Sequence, residues 1–178
     1  MSEFPELLDF ERERLRWLND LPLGAAREAF LNCCGSSKWA DFMARARPFA
    51  DLNEIARRAQ ENFDTLAGDD WKEAFAAHPR IGETHVRGSE HARRWAQQEQ
   101  SGAAISSLET QRKLQQGNEE YYSRFGYIFI ICATEKSADQ VLASLGDRLK
   151  NDPAAELQIA ANEQRKITLL RLQKMMVL

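Results

Sequence analysis

A chain of 178 residues, 43% hydrophobic and 29% charged, is long and apolar enough to bury one ordinary core, and this composition excludes intrinsic disorder. The net charge of −3, with both signs interspersed, excludes the basic stripe typical of nucleic-acid binding. No apolar run approaches the roughly 18 residues of a membrane span, the charged N-terminus lacks a signal-peptide core, and the three cysteines fit reduced thiols better than disulfides. We therefore expect a cytoplasmic protein that binds neither nucleic acid nor membrane.

The first 68 residues predict four helices separated by turn signals. Residues 4–18 predict a charged opening helix, the next helix ends at residues 35–37, and a third stops at residues 47–48. A fourth helix, closed by Gly68, has the clearest amphipathic pattern of the chain. Its apolar positions are Leu52, Ile55, Ala56, Ala59, Phe63 and Leu66.

A titratable side chain ends the fifth predicted helix, residues 70–77, which has Asp70 as its predicted N-cap. One face of this helix consists of Trp71, Ala74, Phe75 and His78. Pro79 biases His78 away from helical geometry and ends the helix there. Two interpretations of His78 remain open on spacing alone: a core or C-capping histidine, or a proton donor or base.

Residues 82–133 predict two more helices and one buried segment. Ser89 is the predicted N-cap of the first helix, and residues 106–125 form the second. The inward row of the second helix is Leu114, Asn118, Tyr121 and Phe125. The apolar run 127–133 is strand-like, but the pattern predicts no second strand to pair with it. We therefore expect a buried segment that belongs to no sheet.

The last predicted helix, which begins at Asp152 and Pro153, places a guanidinium in a largely apolar row. The row is Leu157, Ala160, Gln164, Ile167, Arg171 and Met175. A buried arginine is costly unless it is paired. Either Arg171 extends to solvent or pairs with a structural carboxylate, or it binds an anion in a pocket.

Together with a helix capped by Ser137, these elements predict an all-α fold. We expect residues 1–178 to form a single compact helical domain of about seven to nine helices with no sheet, in which residues 1–18 are an extra N-terminal helix.

Motifs for several chemistries do not occur in the sequence: there is no Gly-rich phosphate loop, no G-x-S-x-G elbow and no C-x-x-C. His78, His85 and His91 are seven and six residues apart, which is not the spacing that places two ligands on one helix face. We therefore expect no metal and no cofactor.

A set of short motifs runs in order from about Asn19 to Lys174. It comprises Cys33–Ser36 with Trp39, Arg47–Phe49, Trp71–Gly82, Glu99–Gln100, Asn118 with Tyr121 or Tyr122, Phe125–Ala133, Ser137–Ala138, Arg148–Leu149, and Glu156–Leu157 to Arg171–Leu172. In this set the chain resembles the decarboxylases of 2-oxo-4-hydroxy-4-carboxy-5-ureidoimidazoline (OHCU). Each motif is short, but the ordered set is specific.

The resemblance implies an all-α homodimer without a cofactor. It implies decarboxylation of OHCU to (S)-allantoin and CO2, the last step from urate to allantoin in purine catabolism. His78 and Glu99 match the catalytic positions, with stereospecific protonation by the histidine. The implied substrate-binding residues are Pro79, Ala96, Gln100, Phe129, Ile130, Ile131, Cys132, Ala133 and Arg171.

Two positions depart from the family pattern. Ala96 stands where a serine is usual, which removes a hydroxyl near the implied substrate, and Gly117 stands where a leucine commonly precedes the asparagine.

Decarboxylation leaves an electron pair on carbon, and N–H groups of the segment 129–133, free because it joins no sheet, are expected to stabilise this charge. An imidazolium at His78 would deliver the proton. A helix C-terminus and Glu99 favour that charged form, whereas burial opposes it.

Two other classes of function remain open on the sequence. One is a helical interaction module whose His, Glu and Arg are structural, although the chain has no internal repeat from which to build a binding surface. The other is a metal-dependent hydrolase of ureide-type substrates. A closed polar pocket joining His78, Glu99 and Arg171 would favour the decarboxylase over the module.

Overall fold

The computed structural model describes residues 5–80, 94–95 and 107–177, and this part of the chain contains eight helices and no strand. The helices are α1 (Pro5–Asp20), α2 (Leu23–Cys33), α3 (Ser37–Arg45), α4 (Leu52–Phe63), α5 (Gly68–Ala76), α6 (Leu108–Phe125), α7 (Ala138–Arg148) and α8 (Pro153–Val177). The predicted all-α fold is confirmed. None of the described helices is long and apolar enough to cross a membrane.

Side-chain oxygens accept hydrogen bonds from the first free N–H groups of five helices, which explains where these helices begin. The capping residues of α3, α4, α6, α7 and α8 are Ser36, Asp51, Ser107, Ser137 and Asp152. The caps predicted at Ser137 and Asp152 are therefore confirmed. Gly126 ends α6 with φ of 78°, a left-handed conformation that favours glycine.

The start of α5 differs from the prediction, because the helix begins at Gly68 and not at Asp70. Asp70 lies in the first turn, where Oδ2 accepts from the N–H of Ala67 at 2.8 Å. Glu73 accepts from the N–H of Ser37 at 3.0 Å and from its hydroxyl at 2.7 Å. The acidic residues of α5 therefore fix both its own start and its position against α3.

The core is largely aromatic near α3 and is organised around α8. Trp39 stacks on Phe63 with ring centroids 5.4 Å apart, and Phe30 packs edge-on against Trp39 at 5.9 Å. The long helix α8 contacts α1, α2, α4 and α5. A side chain on an inward face of α8 therefore meets residues from distant parts of the sequence.

Helices α6 and α7 pack closely where the sequence has Gly117. A Cβ added there would lie 2.6 Å from Cδ2 of Leu145, so a larger side chain would require the Leu145 side chain to move. The departure from the family pattern at this position is thus matched by packing against Leu145.

The segment 127–133 joins no sheet within the described residues and is mostly buried, as predicted. Arg148 Nη1 donates to the carbonyl of Ile130 at 2.7 Å, and the N–H of Cys132 donates to Glu163 Oε2 at 2.8 Å. The expectation that the N–H groups of residues 129–133 are free is therefore wrong at Cys132. Its N–H is bonded to the side chain of Glu163 in α8, and not to a neighbouring strand.

A fully buried carboxylate that the sequence did not predict lies at the start of α8. Glu156 is 0% exposed and accepts from Arg148 Nε at 2.8 Å, from Asn151 Nδ2 at 2.8 Å and from the Tyr121 hydroxyl. Burial raises the pKa of Tyr121 well above its ordinary value, so the hydroxyl stays protonated and donates. We call Tyr121, Arg148, Asn151 and Glu156 the Glu156 cluster.

Candidate active site

His78 and Arg171, 93 residues apart in the sequence, meet inside the molecule. Arg171 Nη2 lies 3.5 Å from His78 Nδ1, and Arg171 Nη1 donates to the carbonyl of Asn32 at 3.4 Å. The arginine is only 5% exposed, so the interpretation in which it extends to solvent is wrong. Helix α8 supplies the guanidinium, and the chain leaving α5 supplies the imidazole.

The position of His78 follows from the end of α5. The helix stops at Ala76, and the N–H of His78 bonds to the carbonyl of Phe75 at 3.0 Å, which continues the chain for one tight turn. His78 therefore lies two residues beyond the helix, not in its last turn. Pro79, half-buried, follows it. His78 as a whole residue is half-buried, and the Nε2 atom of its ring is buried.

A glycine allows the loop after α2 to approach this turn. A Cβ added at Gly35 would lie 2.3 Å from the Cβ of Ala77 and 3.2 Å from the carbonyl oxygen of Ala74. Any other residue would therefore push the loop from the end of α5. Asn32, whose carbonyl contacts Arg171, lies three residues before this close approach.

Two polar side chains of α8 lie on the same face as Arg171, one and two turns before it. Gln164 and Thr168 are both 0% exposed. Thr168 Oγ1 donates to the main-chain carbonyl of Gln164 at 2.9 Å and lies 3.3 Å from Gln164 Nε2. We call His78, Gln164, Thr168 and Arg171 the His78 cluster.

A buried thiol borders the His78 cluster. Burial raises the pKa of Cys34 to about 11, although Thr168 and the charge of Arg171 oppose this shift. The thiol is therefore protonated at neutral pH, where it is a poor nucleophile.

Burial decides the charge state that the sequence left open at His78. Burial and, second to it, the positive charge of Arg171 together lower the pKa of the imidazole from 6.5 to about 3, while the Gln164 side chain acts in the opposite direction. His78 Nε2 and Gln164 Oε1 nevertheless have no hydrogen-bond partner among the described residues, so the two groups interact without bonding geometry. A pKa this low keeps the imidazole neutral at neutral pH.

The segment 129–133 approaches α8 next to the His78 cluster. Phe129, Ile130, Ile131 and Ala133 are buried and Cys132 is half-buried. The anchor of Cys132 is Glu163, the residue before Gln164 in α8.

Three predicted site residues, Ala96, Glu99 and Gln100, lie outside the described residues. Trp95, one turn before Glu99 in the sequence, is helical and 6% exposed. In the described residues, no three His, Cys, Asp or Glu side chains lie close enough together to hold a metal ion.

Sequence reasoning gave no role to Gln164 and did not single out Thr168. The sequence did contain a pattern that points to these residues. Gln164, Thr168 and Arg171 recur at i, i+4 and i+7, so they lie on one face of a long helix whose other inward positions are mostly apolar.

The all-helical fold brings a histidine and a buried arginine together in the His78 cluster. The family model described as OHCU decarboxylase matches residues 19–173. The chain belongs to the OHCU decarboxylase family and is therefore a carboxy-lyase.

Relatives and a solved structure agree with this assignment. The chain is 39% identical over 145 residues to the uric acid degradation bifunctional protein TTL of Arabidopsis thaliana, covering 80% of this chain and 45% of that protein. It thus spans less than half of that relative's length. Identity to the 2-oxo-4-hydroxy-4-carboxy-5-ureidoimidazoline decarboxylase of Amia calva is 33% over 128 residues, covering 71% of this chain and 73% of that protein. A crystal structure of an OHCU decarboxylase in the presence of (S)-allantoin matches with a TM-score of 0.72 and 38% identity, covering 83% of this chain and 96% of that one.

Proposed function

We propose that this chain decarboxylates OHCU to (S)-allantoin and CO2, as the last step of urate-to-allantoin conversion, with His78 moving the proton. Membership of the family supports the reaction. The observation that carries the role of His78 is its contact with Arg171, 3.5 Å away and buried. The imidazole of His78, which can exchange protons, therefore lies beside the guanidinium of Arg171, which can bind an anion.

Arg171 binds the carboxylate that leaves as CO2. A guanidinium presents a planar fork of donors that matches a carboxylate, and its burial strengthens such a contact. The bound carboxylate also offsets the positive charge that lowers the pKa of His78. Substrate binding therefore makes the imidazole easier to protonate at the moment when a proton is needed.

The reaction balances with one histidine that acts first as base and then as acid. When the bond to the carboxylate breaks, its electron pair moves toward the adjacent ring C=N, and the ring nitrogen takes a proton from solvent. The resulting enol gives its hydroxyl proton to neutral His78 and becomes a carbonyl. The imidazolium then returns this proton to one face of the neighbouring carbon, which fixes the (S) configuration.

The remaining proposed roles follow the family resemblance. Glu99 orients the substrate and keeps the imidazolium stable once it forms, and Gln100 forms a paired hydrogen bond with a ureido or lactam group. Main-chain N–H groups of residues 129–133, other than that of Cys132, stabilise the developing charge. Pro79 contacts the substrate, and Ala96 leaves the site without the serine hydroxyl that is usual there.

We further infer that the enzyme is a cytoplasmic homodimer that needs no metal and no organic cofactor. Light scattering at micromolar concentration should give the mass of a dimer, and a monomer would contradict this. Exhaustive chelation should leave the rate unchanged, whereas loss of activity restored by one metal would favour a metal-dependent hydrolase.

The direct test of the proposed function is turnover of freshly generated OHCU, followed by circular dichroism of the allantoin formed. We expect the chain to accelerate the decay of OHCU and to yield the (S) enantiomer. Uncatalysed protonation of a planar intermediate has no preferred face and gives a racemate. A decay rate and a product equal to those without protein would reject the proposal.

A further inference from the structure

Two charged side chains hold the main chain of the segment 129–133 from the side of α7 and α8. Arg148 Nη1 donates to the carbonyl oxygen of Ile130 at 2.7 Å, and Glu163 Oε2 accepts from the N–H of Cys132 at 2.8 Å. Hydrogen bonds to ionised groups are stronger than bonds between neutral ones. Two side chains therefore do here what neighbouring strands do in a sheet.

These two bonds fix the orientation of both peptide groups of Ile131. The peptide bonds on either side of Ile131 are trans and planar, so the C=O and the N–H of each point in opposite directions. The N–H of Ile131 is therefore directed away from Arg148, and its C=O is directed away from Glu163. Because a residue has only two soft backbone dihedrals, an anchor on each side leaves Ile131 little freedom to rotate.

The same stretch of chain is fixed to the two elements that supply the His78 cluster. At its start, the ring of Tyr127 lies 5.2 Å from the ring of Phe75 on α5, and the carbonyl of Phe75 accepts from the N–H of His78 at 3.0 Å. At its end, the anchor Glu163 lies on α8, eight residues before Arg171. Loss of the anchor would therefore shift the segment relative to both side chains of the candidate site.

We propose that Glu163 is a positioning residue of the decarboxylation: through the N–H of Cys132 it holds the N–H of Ile131 in a fixed direction for the charge that develops as CO2 leaves. This inference rests on the proposed function, in which N–H groups of this segment stabilise that charge. A donor that is oriented before the reaction needs no reorganisation in the transition state. Ile131 is buried, so water weakens its electrostatic interactions little.

Glu163 also forms an ion pair, which offers a purely structural explanation for this residue. Its Oε1 lies 2.5 Å from Nζ of Lys166, whose side chain is 63% exposed, whereas that of Glu163 is 14% exposed. Ion pairs that involve an exposed lysine contribute little to stability. The two oxygens of Glu163 have different partners, so variants can remove one contact and keep the other.

The variant Glu163→Leu removes the acceptor for the N–H of Cys132 and keeps a helix-forming side chain. Loss of one charge-stabilising donor typically costs about 10²- to 10³-fold in kcat. Since the N–H of Ile131 remains but is no longer held, we expect a smaller fall of roughly 10- to 100-fold. KM should change little, because the lost interaction belongs to the transition state. The product should stay (S)-allantoin, since His78 is unchanged.

Two further variants separate the reach of the side chain from its charge. Glu163→Gln keeps an acceptor at the same reach without the charge, so kcat should stay close to that of the wild type. Glu163→Asp keeps the charge but withdraws it by one methylene, so kcat should lie between those of the wild type and Glu163→Leu. This milder change keeps the test available if Glu163→Leu does not fold. The matched control Lys166→Met breaks the ion pair, leaves the bond to Cys132, and should keep wild-type rates.

The anchor itself can be observed without turnover. Ile131 and Cys132 form the only Ile–Cys pair in the sequence. Protein with 13C in its isoleucine carbonyls and 15N in its cysteines therefore gives a single carbonyl-to-nitrogen NMR signal, that of the Cys132 amide. This N–H should exchange slowly with solvent in the wild type and in Glu163→Gln, and faster in Glu163→Leu.

The possible results separate this inference from the proposed function. A folded Glu163→Leu protein with wild-type kcat would overturn the inference alone, and so would a Cys132 N–H that exchanges equally fast in both proteins. Equal losses in Glu163→Gln and Lys166→Met, with normal rates in Glu163→Asp, would assign the effect to the ion pair and also overturn it. Wild-type protein that does not turn over OHCU would reject the proposed function and this inference with it.

Discussion

Two buried polar clusters lie along α8, and each contains an arginine that is almost fully enclosed. Arg148, in the Glu156 cluster, is 8% exposed and Arg171, in the His78 cluster, is 5% exposed. Arg148 lies 2.6 Å from a carboxylate oxygen of Glu156 and donates to a main-chain carbonyl at 2.7 Å. Arg171 contacts, among other groups, the main-chain oxygen of Asn32 at 3.4 Å and the ring nitrogen Nδ1 of His78 at 3.5 Å.

The difference shows that burial alone does not distinguish a structural polar residue from a functional one. In the Glu156 cluster, opposite charges offset each other at short distances. In the His78 cluster, burial and a like charge hold the pKa of the histidine far below its ordinary value, and complementary atoms of His78 and Gln164 stay unbonded. Such an arrangement costs stability and is typical of a site where chemistry occurs.

The Glu156 cluster should govern stability, which gives the largest expected effect. Glu156→Gln removes the charge that compensates buried Arg148, and breaking a buried ion pair typically costs about 3–5 kcal/mol. Urea unfolding should report a loss of this size. The control is Glu61→Gln, which breaks a surface pair with Arg57 and should cost less than about 1 kcal/mol. Equal unfolding midpoints for the two variants would remove the distinction between the clusters.

The proposed catalytic pair gives the next largest effect. His78→Asn and Glu99→Gln should each reduce turnover by at least roughly the 10²-fold typical of a positioned acid or base, with melting near that of the wild type. If the two residues act as a unit, the double variant should be little worse than the poorer single variant. Two losses that multiply fully would mean that the residues work independently.

The neutral state of His78 makes folding sensitive to acid. The unfolded imidazole binds a proton below about pH 6.5, whereas the folded one does so only near 3, so stability is lost as the pH falls through this interval. Between pH 7 and pH 5 the loss from this group is about 2 kcal/mol. Urea unfolding of His78→Asn at both pH values should show a smaller loss than the wild type. An equal loss in both proteins would place the acid sensitivity elsewhere.

The smallest expected effect belongs to Arg171→Lys, which keeps the charge but removes the planar fork. Turnover should fall by roughly tenfold or more, about 1.4 kcal/mol in activation free energy, while helix content and melting hold. A melting point lowered as much as in Glu156→Gln, with normal kinetics of the folded protein, would make Arg171 structural like Arg148.

The fold was largely predictable because most helix boundaries depend on local chemistry. Ser137 and Asp152 begin a helix and Gly126 ends one, each through groups a few residues away. All three of these helix ends were predicted correctly from the sequence. The start of α5 was not, because Asp70 and Glu73 both look like capping residues, and Glu73 instead bonds to Ser37 on another helix. Sequence spacing does not reveal such a distant partner.

The candidate site was predictable at single positions but not as a network. The apolar patterns of α5 and α8 predicted that His78 and Arg171 face inward. The contact between the two residues could not be predicted, because it depends on how the whole chain folds. The buried Glu156 was missed because a lone glutamate near a helix start looks like an ordinary first-turn acid. The anchoring of Cys132 by Glu163 was missed for a similar reason, since only the fold places α8 beside that segment.

The most direct test of proton delivery by His78 is the enantiomeric composition of allantoin made from fresh OHCU by the wild type and by His78→Asn, measured by circular dichroism. We expect (S)-allantoin from the wild type, and from the folded variant a racemate formed at the uncatalysed rate. A His78→Asn protein that still turns over normally and yields one enantiomer would contradict the central role of His78.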